Sequence, residues 1–173
     1  MGLLLLAGAA TVVGFLIILL VGRGQPVSPA ASAGGEAAAP SELGWLRAGG
    51  TEALQRALRA LFAEMGFAPE PGQQGGGAVE FLANDPTPIR GGRIYVRGLL
   101  AAEGGSVDAD EVRTLLDAAR AEAVGKAVLV TLGRFSAEAH EAARGQPVDL
   151  LDGEQLAALL RRHLPQAWAT RSV

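Results

Sequence analysis

Side chains that commonly carry out catalysis are scarce in this sequence. It contains no cysteine, so a disulfide framework, a thiolate zinc site and a cysteine nucleophile are excluded. Lys126 is its only lysine, and any chemistry that needs an amine must use it. His140 and His163 fall on predicted helices without a serine, an aspartate or a second histidine at useful spacing, which favours surface positions. The glycine-rich run GQQGGG is followed by neither a lysine nor a helix start, so it does not match a phosphate-binding loop.

Arginines near a predicted hairpin are the other candidates for chemistry. Arg90, Arg93 and Arg97 are candidates for a small DNA-binding patch, although solvated surface charges are an alternative interpretation. The charge balance disfavours DNA as a partner, because residues 51–165 carry 12 basic and 16 acidic side chains and the whole chain has a formal charge of −3. Domains that bind DNA mainly through its phosphates usually have a basic excess.

The N-terminal segment predicts a membrane partner. Residues 2–22 are 21 in number and include no charged side chain, and a transmembrane helix needs roughly 20 apolar residues. A cleaved signal peptide is the alternative, but its apolar core normally has about 7–15 residues and follows a basic region. Arg23 follows the apolar run and no Lys or Arg precedes it. The positive-inside rule therefore predicts a single-pass protein of the inner membrane whose C-terminal domain lies in the cytoplasm.

The remainder divides into a linker, one domain and a tail. Residues 23–50 are rich in Gly, Pro, Ala and Ser and predict a flexible linker. Residues 51–165 predict the order α-β-β-α-β-α-β-α, with strands near 78–83, 93–100, 126–131 and 148–151. Two neighbouring strands followed by two crossover helices predict an α/β fold, with a mixed sheet flanked by helices. Residues 166–173 are expected to form a tail.

Several stretches, in order, resemble one known family. They are the helix end EMGF, the strand segments GGGAVEFLA and RIYVRGLL, the long segment from VDADEV to GRFSAEAHEAA, and PVDLLDGEQLAALL. Together they resemble the Mrr-type restriction endonuclease domain of the PD-(D/E)xK nuclease fold, from about Thr51 to Arg161. The resemblance implies a restriction-endonuclease-like fold and, where the active site is intact, metal-dependent cleavage of DNA.

The resemblance also assigns positions to an active site. The family's metal-binding Asp corresponds to Glu80, its Gln or Glu to Arg97, and its Lys to Leu99. A helix glutamate common in the family corresponds to Gln55. Glu80 alone keeps a carboxylate and is a weak candidate metal ligand. Arg97 would repel a divalent metal, and we expect it to form an ion pair with Glu80 across the hairpin. No catalytic residue and no cofactor is therefore assigned.

Three functional hypotheses follow. The first is a membrane-anchored pseudo-nuclease, not an enzyme, that binds a protein or DNA. The alternative is a Mg²⁺-dependent DNA endonuclease with a rearranged site that combines Glu80 with a carboxylate such as Asp85 or Glu103. The third is a protein that binds DNA structure without cutting it, which the acidic charge disfavours.

Overall fold

The computed structural model describes residues 43–75, 77–88, 91–102 and 105–165. The predicted membrane helix 2–22, the predicted tail 166–173 and most of the predicted linker lie outside these residues. Within the described part of the chain, no helix is long and apolar enough to cross a bilayer.

The described part of the chain contains five helices and eight strands. The helices are α1 (Gly44–Ala48), α2 (Gly50–Glu64), α3 (Ala109–Ala121), α4 (Ala137–Ala143) and α5 (Gly153–His163). The longer strands are β3 (Ala78–Asn84), β4 (Arg93–Leu99), β6 (Lys126–Thr131) and β8 (Val148–Leu151). The short strands are β1 (Ala68–Pro69), β2 (Gln73–Gly75), β5 (Ser106–Val107) and β7 (Arg134–Phe135).

The main sheet is mixed, which confirms the predicted α/β fold. Its strand order is β1-β3-β4-β6-β8, and β2 also pairs with β3. The β3–β4 hairpin is antiparallel, whereas β4 pairs with β6 and β6 pairs with β8 in parallel. Parallel neighbours need a crossover connection, and the chain supplies one through α3 and another through α4. Strands β5 and β7 form a separate two-stranded parallel sheet.

Helices cover both faces of the main sheet, as predicted. Successive side chains of a strand point to opposite faces, so Val79 and Val96 join the core formed with α1, α2 and α5. Tyr95 and Leu129 point the other way, into the core formed with α3 and α4. The two cores make the β3–β4 hairpin a rigid platform for the side chains that project from it.

Polar caps fix the starts of two helices that follow strands. The Ser136 hydroxyl accepts a hydrogen bond of 3.1 Å from the Ala139 amide at the start of α4. At the start of α5, the Asp152 carboxylate accepts from the Gln155 amide at 2.8 Å, and the Gln155 side chain accepts from the Asp152 amide at 3.1 Å. This reciprocal capping box satisfies two amides that the helix itself cannot pair.

The structure differs from the sequence prediction in its four short strands and in the start of the domain. The predicted linker extends to residue 50, but α1 occupies 44–48 and Leu46 is fully buried, so the domain begins earlier. The segment 69–77, in which no strand was predicted, contains β2, which pairs with β3 through Gln73↔Glu80 and Gln74↔Val79. Both segments take their structure from tertiary contacts and not from strong local propensity.

Candidate functional site at the β3–β4 hairpin

Glu80 and Arg97 lie directly opposite each other on the antiparallel strands β3 and β4. The Arg97 guanidinium donates through Nη1 to Glu80 Oε1, so the expected ion pair across the hairpin is confirmed. Leu99 lies two residues beyond Arg97 and therefore on the same face of β4. The sheet thus brings together the three strand positions that the family resemblance assigns to an active site.

Glu111, in the first turn of α3, completes the cluster from the helix side. Arg97 Nη2 and Nε donate to Glu111 Oε2 at 3.0 and 3.2 Å. The Arg97 side chain is 16% exposed, against 30% for Glu80 and 39% for Glu111. One shielded guanidinium therefore lies between two carboxylates, and the three side chains together carry a formal charge of −1.

Tyr95 is the fourth member of this cluster. Its hydroxyl donates to Glu80 Oε2 at 3.0 Å, and its ring is buried in the α3–α4 core. Burial, together with the hydrogen bond to the Glu80 carboxylate, raises the pKa of Tyr95 to about 12. The phenol is consequently a neutral hydrogen-bond donor at physiological pH, and it orients Glu80 without supplying a base or a nucleophile.

The arrangement places a permanent internal cation between the two carboxylates. A guanidinium stays charged at all physiological pH values, and it repels a second cation at contact distance. Among the described residues, no group of three or more His, Cys, Asp or Glu side chains is arranged to hold a metal. The cluster binds its own arginine and connects β3, β4 and α3.

Gln55, on α2, contacts the chain around β2. Its side-chain oxygen accepts a hydrogen bond from the Gln74 amide, and Thr51 donates to the Gln74 oxygen at 3.1 Å. An added side chain at Gly72 would come within 2.6 Å of Gln55 Nε2, so this amide packs closely against the chain before β2. Gln55 therefore ties α2 to β2, and its amide nitrogen and the Glu80 backbone carbonyl both lie next to Gly72.

The candidate DNA-binding arginines are already engaged where the structure describes them. Arg93 forms ion pairs with Glu70 at 3.6 Å and with Glu122 at 3.9 Å. Arg97 contacts the two carboxylates of the cluster. Arg90 lies outside the described residues. The two described arginines thus have acidic partners on the protein itself.

The other carboxylates and the lysine lie away from Glu80. Asp85 accepts from the Thr87 amide at 2.9 Å and hydroxyl at 2.5 Å, and these bonds lower the pKa of Asp85. It comes five residues after Glu80, roughly 17 Å along an extended chain. Lys126 pairs with Ile94 at the far end of β4 and forms an ion pair with Asp149 at 2.8 Å. Glu103, the other carboxylate considered, lies outside the described residues.

The histidines take no part in the cluster. The His140 ring packs edge-on against Phe135 with the ring centroids 6.0 Å apart. His163 is the last residue of α5.

Comparisons with known proteins give the family of the domain. Residues 46–160 match the family model Mrr_cat, described as a restriction endonuclease. A structure titled "DNA modification-dependent restriction endonuclease AspBHI" is similar at 19% identity and a TM-score of 0.51, over 96% of this chain and 49% of that one. "MspJI Restriction Endonuclease in Complex with 27-mer Oligonucleotide" is similar at 21% identity and a TM-score of 0.47, over 83% of this chain and 39% of that one.

This chain spans less than half the length of either solved enzyme. The likeness to AspBHI, at 19% identity, is a likeness of fold. No match to a curated protein was found. The match at 46–160 covers well over half of the sequence, and the chain therefore belongs to the restriction endonuclease family that Mrr_cat describes.

Proposed function

We propose that this chain is a membrane-anchored, restriction-endonuclease-like domain that does not cut DNA and instead serves as a module that binds a protein partner. The observation that carries the proposal is the position of Arg97. Its guanidinium occupies the space between Glu80 and Glu111, where a metal ion would have to approach those carboxylates. The family resemblance places a metal ligand at this position, and the arginine reverses the sign of its charge.

Leu99 supports the same conclusion. The resemblance assigns a lysine there, beside the attacking water and the phosphate. Leu99 carries no charge and packs with the core between the sheet and α3. Lys126 is no replacement, because it lies at the other end of β4 and is paired with Asp149. The described site therefore has an arginine where the family pattern has a metal ligand, and it has no lysine that could contact the phosphate.

The alternative, a Mg²⁺-dependent endonuclease with a rearranged site, needs a second carboxylate near Glu80. Mg²⁺ prefers an octahedral set of oxygen ligands. Asp85 is too far along the chain to share an ion with Glu80. Glu111 is close, but Arg97 contacts both Glu111 and Glu80. For these reasons we favour a module that binds without cleavage.

A protein partner fits the charge of the domain better than DNA does. The described arginines of the hairpin are compensated by Glu70, Glu80, Glu111 and Glu122. The phosphates of DNA would have to compete with these carboxylates for the same guanidinium groups. The membrane is the other proposed partner, through the uncharged run 2–22.

Cleavage of DNA is the direct test of the proposal. We expect the purified full-length chain to leave supercoiled plasmid intact with Mg²⁺ or Mn²⁺, because Arg97 excludes the ion and Leu99 cannot support the attack. Gel electrophoresis over a time course measures nicking and linearisation.

The control is the variant Glu80→Ala, prepared and assayed in parallel. Metal-dependent cleavage that Glu80→Ala abolishes would show that the site is active and would refute the proposal. Cleavage that persists in Glu80→Ala would indicate a contaminating nuclease.

A further inference from the structure

Charge is distributed unevenly between the two helical layers of the domain. Helices α1, α2 and α5, on one face of the sheet, carry five arginines and three glutamates, a formal charge of +2. Helices α3 and α4, on the other face, carry two arginines and five acidic residues, a formal charge of −3. The helices on one face of the sheet, the basic side, thus carry a basic excess and those on the other face, the acidic side, an acidic excess, although the net charge of the chain is negative.

The two sides also differ in how their arginines are compensated. On the acidic side, Arg113 and Arg120 form ion pairs of 2.5 and 2.7 Å within α3, and Arg144 forms one of 2.9 Å just after α4. These charges are neutralised locally by carboxylates one helical turn away. An external anion would therefore gain little from approaching them.

On the basic side, three arginines have no carboxylate partner among the described residues. Arg56 donates to the Glu52 carbonyl at 3.4 Å, and Arg59 donates to the Pro69 carbonyl at 3.5 Å. The Nε of Arg59 is buried with no acceptor in the described part of the chain. Arg162, near the end of α5, is exposed and forms no ion pair within the described part of the chain. We call Arg56, Arg59 and Arg162 the arginine face.

The chain before the domain joins it on this same side. It enters at Leu43 and continues into α1, and Leu43 and Leu46 pack in the core shared with Leu54 and Leu58 of α2. A flexible linker of about 20 residues has a root-mean-square span of roughly 25 Å. Such a tether keeps the domain at a high effective concentration near the membrane of the proposed anchor. A small number of charged side chains is then sufficient to bind the domain to the membrane surface.

From these observations we propose that the arginine face contacts the phosphate groups of an anionic membrane surface and turns the acidic α3–α4 side away from it. The inference rests on the proposed membrane anchor. Anionic lipids attract basic residues next to a membrane and repel acidic ones, and the effect acts within about a Debye length of the surface. A tethered domain meets these phosphates before any DNA, because the linker holds it next to the membrane surface.

Site-specific labelling of the full-length chain tests this orientation. Because the sequence has no cysteine, Ala60→Cys on α2 and Ala121→Cys on α3 each give a single labelling position, and both positions are exposed. The labelled chains are reconstituted into vesicles of phosphatidylcholine alone or mixed with phosphatidylglycerol. A nitroxide lipid that carries its spin label on the headgroup then quenches any fluorophore close to the membrane surface.

We expect strong quenching at position 60 only in the anionic vesicles, and weak quenching at position 121 in both. High salt should reduce the quenching at position 60, because it screens surface charge. The variant R56Q/R59Q/R162Q should lose the effect, with the ratio of bound to free domain falling roughly fivefold per arginine. R56Q/R162Q keeps the half-buried Arg59 and should show an intermediate loss.

The matched control is R113Q/R120Q/R144Q, which removes the same charge from the acidic side and should leave the quenching at position 60 unchanged. If the chain stays in the vesicles but position 60 is quenched equally in both lipids, the proposed orientation is refuted and the membrane anchor still stands. Release of the chain from both vesicle types by alkaline carbonate would contradict the anchor, and the inference with it. If duplex DNA instead protected the label at position 60 from quenching, and R56Q/R59Q/R162Q abolished that protection, the arginine face would be shown to bind nucleic acid and not lipid.

Discussion

Arg97 lies on β4, and its guanidinium contacts one carboxylate on β3 and another on α3. The Tyr95 hydroxyl donates a hydrogen bond of 3.0 Å to Oε2, the second carboxylate oxygen of Glu80. Hydrogen bonds that involve ionised groups are stronger than neutral ones, particularly where solvent is partly excluded. The cluster therefore depends on a single cation, since no other described basic side chain contacts Glu80 or Glu111.

Substitution of Arg97 tests this dependence. In Arg97→Gln the two carboxylates lose their shared cation and repel each other, so we expect the free energy of unfolding to fall by about 1–2 kcal/mol. Added Mn²⁺ should restore part of this loss, because a cation could then reach Glu80 and Glu111. Urea denaturation with and without Mn²⁺ measures both effects.

Two variants serve as controls for this measurement. Arg113→Gln removes a mostly exposed arginine from an ion pair within α3, and it should change the stability by only a few tenths of a kcal/mol. The double variant Glu111→Gln, Arg97→Gln should be more stable than Arg97→Gln without Mn²⁺, because only one of the two carboxylates remains. An Arg97→Gln chain as stable as the wild type, and indifferent to Mn²⁺, would contradict this account of the cluster.

The participation of Glu111 could not be predicted from the sequence. A carboxylate in the first turn of α3 is locally favourable, since it suits the helix dipole. Its contact with Arg97 depends on how α3 packs over the sheet, and no spacing rule reports that packing. The Glu80–Arg97 pair was predictable, because the register of the β3–β4 hairpin and the family resemblance both place these residues opposite each other.

At the scale of the elements, strands with strong patterns were predictable to the residue. The apolar run at 126–131 and the segment 148–151 coincide with β6 and β8. The capped starts of α4 and α5 follow Ser136 and Asp152, whose side chains pair with amides of the first turn. The short strand β2 was not predictable, because its glycine-rich segment is extended only through pairing with β3.

The capping box at the start of α5 gives a test at this scale. Asp152→Ala removes the acceptor for the Gln155 amide and should lower the free energy of unfolding by about 1 kcal/mol. Asp152→Asn keeps an acceptor and should cost much less. Chemical denaturation of both variants against the wild type makes the comparison, and equal losses would indicate that the charge of Asp152, and not its cap, stabilises α5.

At the scale of the whole molecule, the proposal combines a membrane span, a linker and a domain with a basic side. The span and most of the linker lie outside the described residues, so their evidence is the uncharged run 2–22 and the composition of 23–43. The domain itself starts at α1, where Leu46 is buried. The sequence placed this boundary too late, because a five-residue helix with two small residues has a weak local signal.

The predicted topology can be checked with reporters fused to the C-terminus. We expect a fluorescent protein that matures in the cytoplasm to be active, and alkaline phosphatase, which needs an oxidising compartment, to be inactive. Arg23→Glu, which removes the positive charge next to the span, should weaken this preference. Phosphatase activity in the unaltered fusion would place the domain on the opposite side of the membrane.

The shared guanidinium also constrains how the site could change over evolutionary time. Leu99→Lys alone would introduce a second cation about 7 Å from Arg97 on the same face of β4. Arg97→Gln alone would leave Glu80 and Glu111 without their cation. Each single replacement towards the family pattern is therefore unfavourable in the present background, and only a paired change avoids the penalty. Positions 97 and 99 are therefore expected to tolerate the residues of the family pattern only when both are exchanged together.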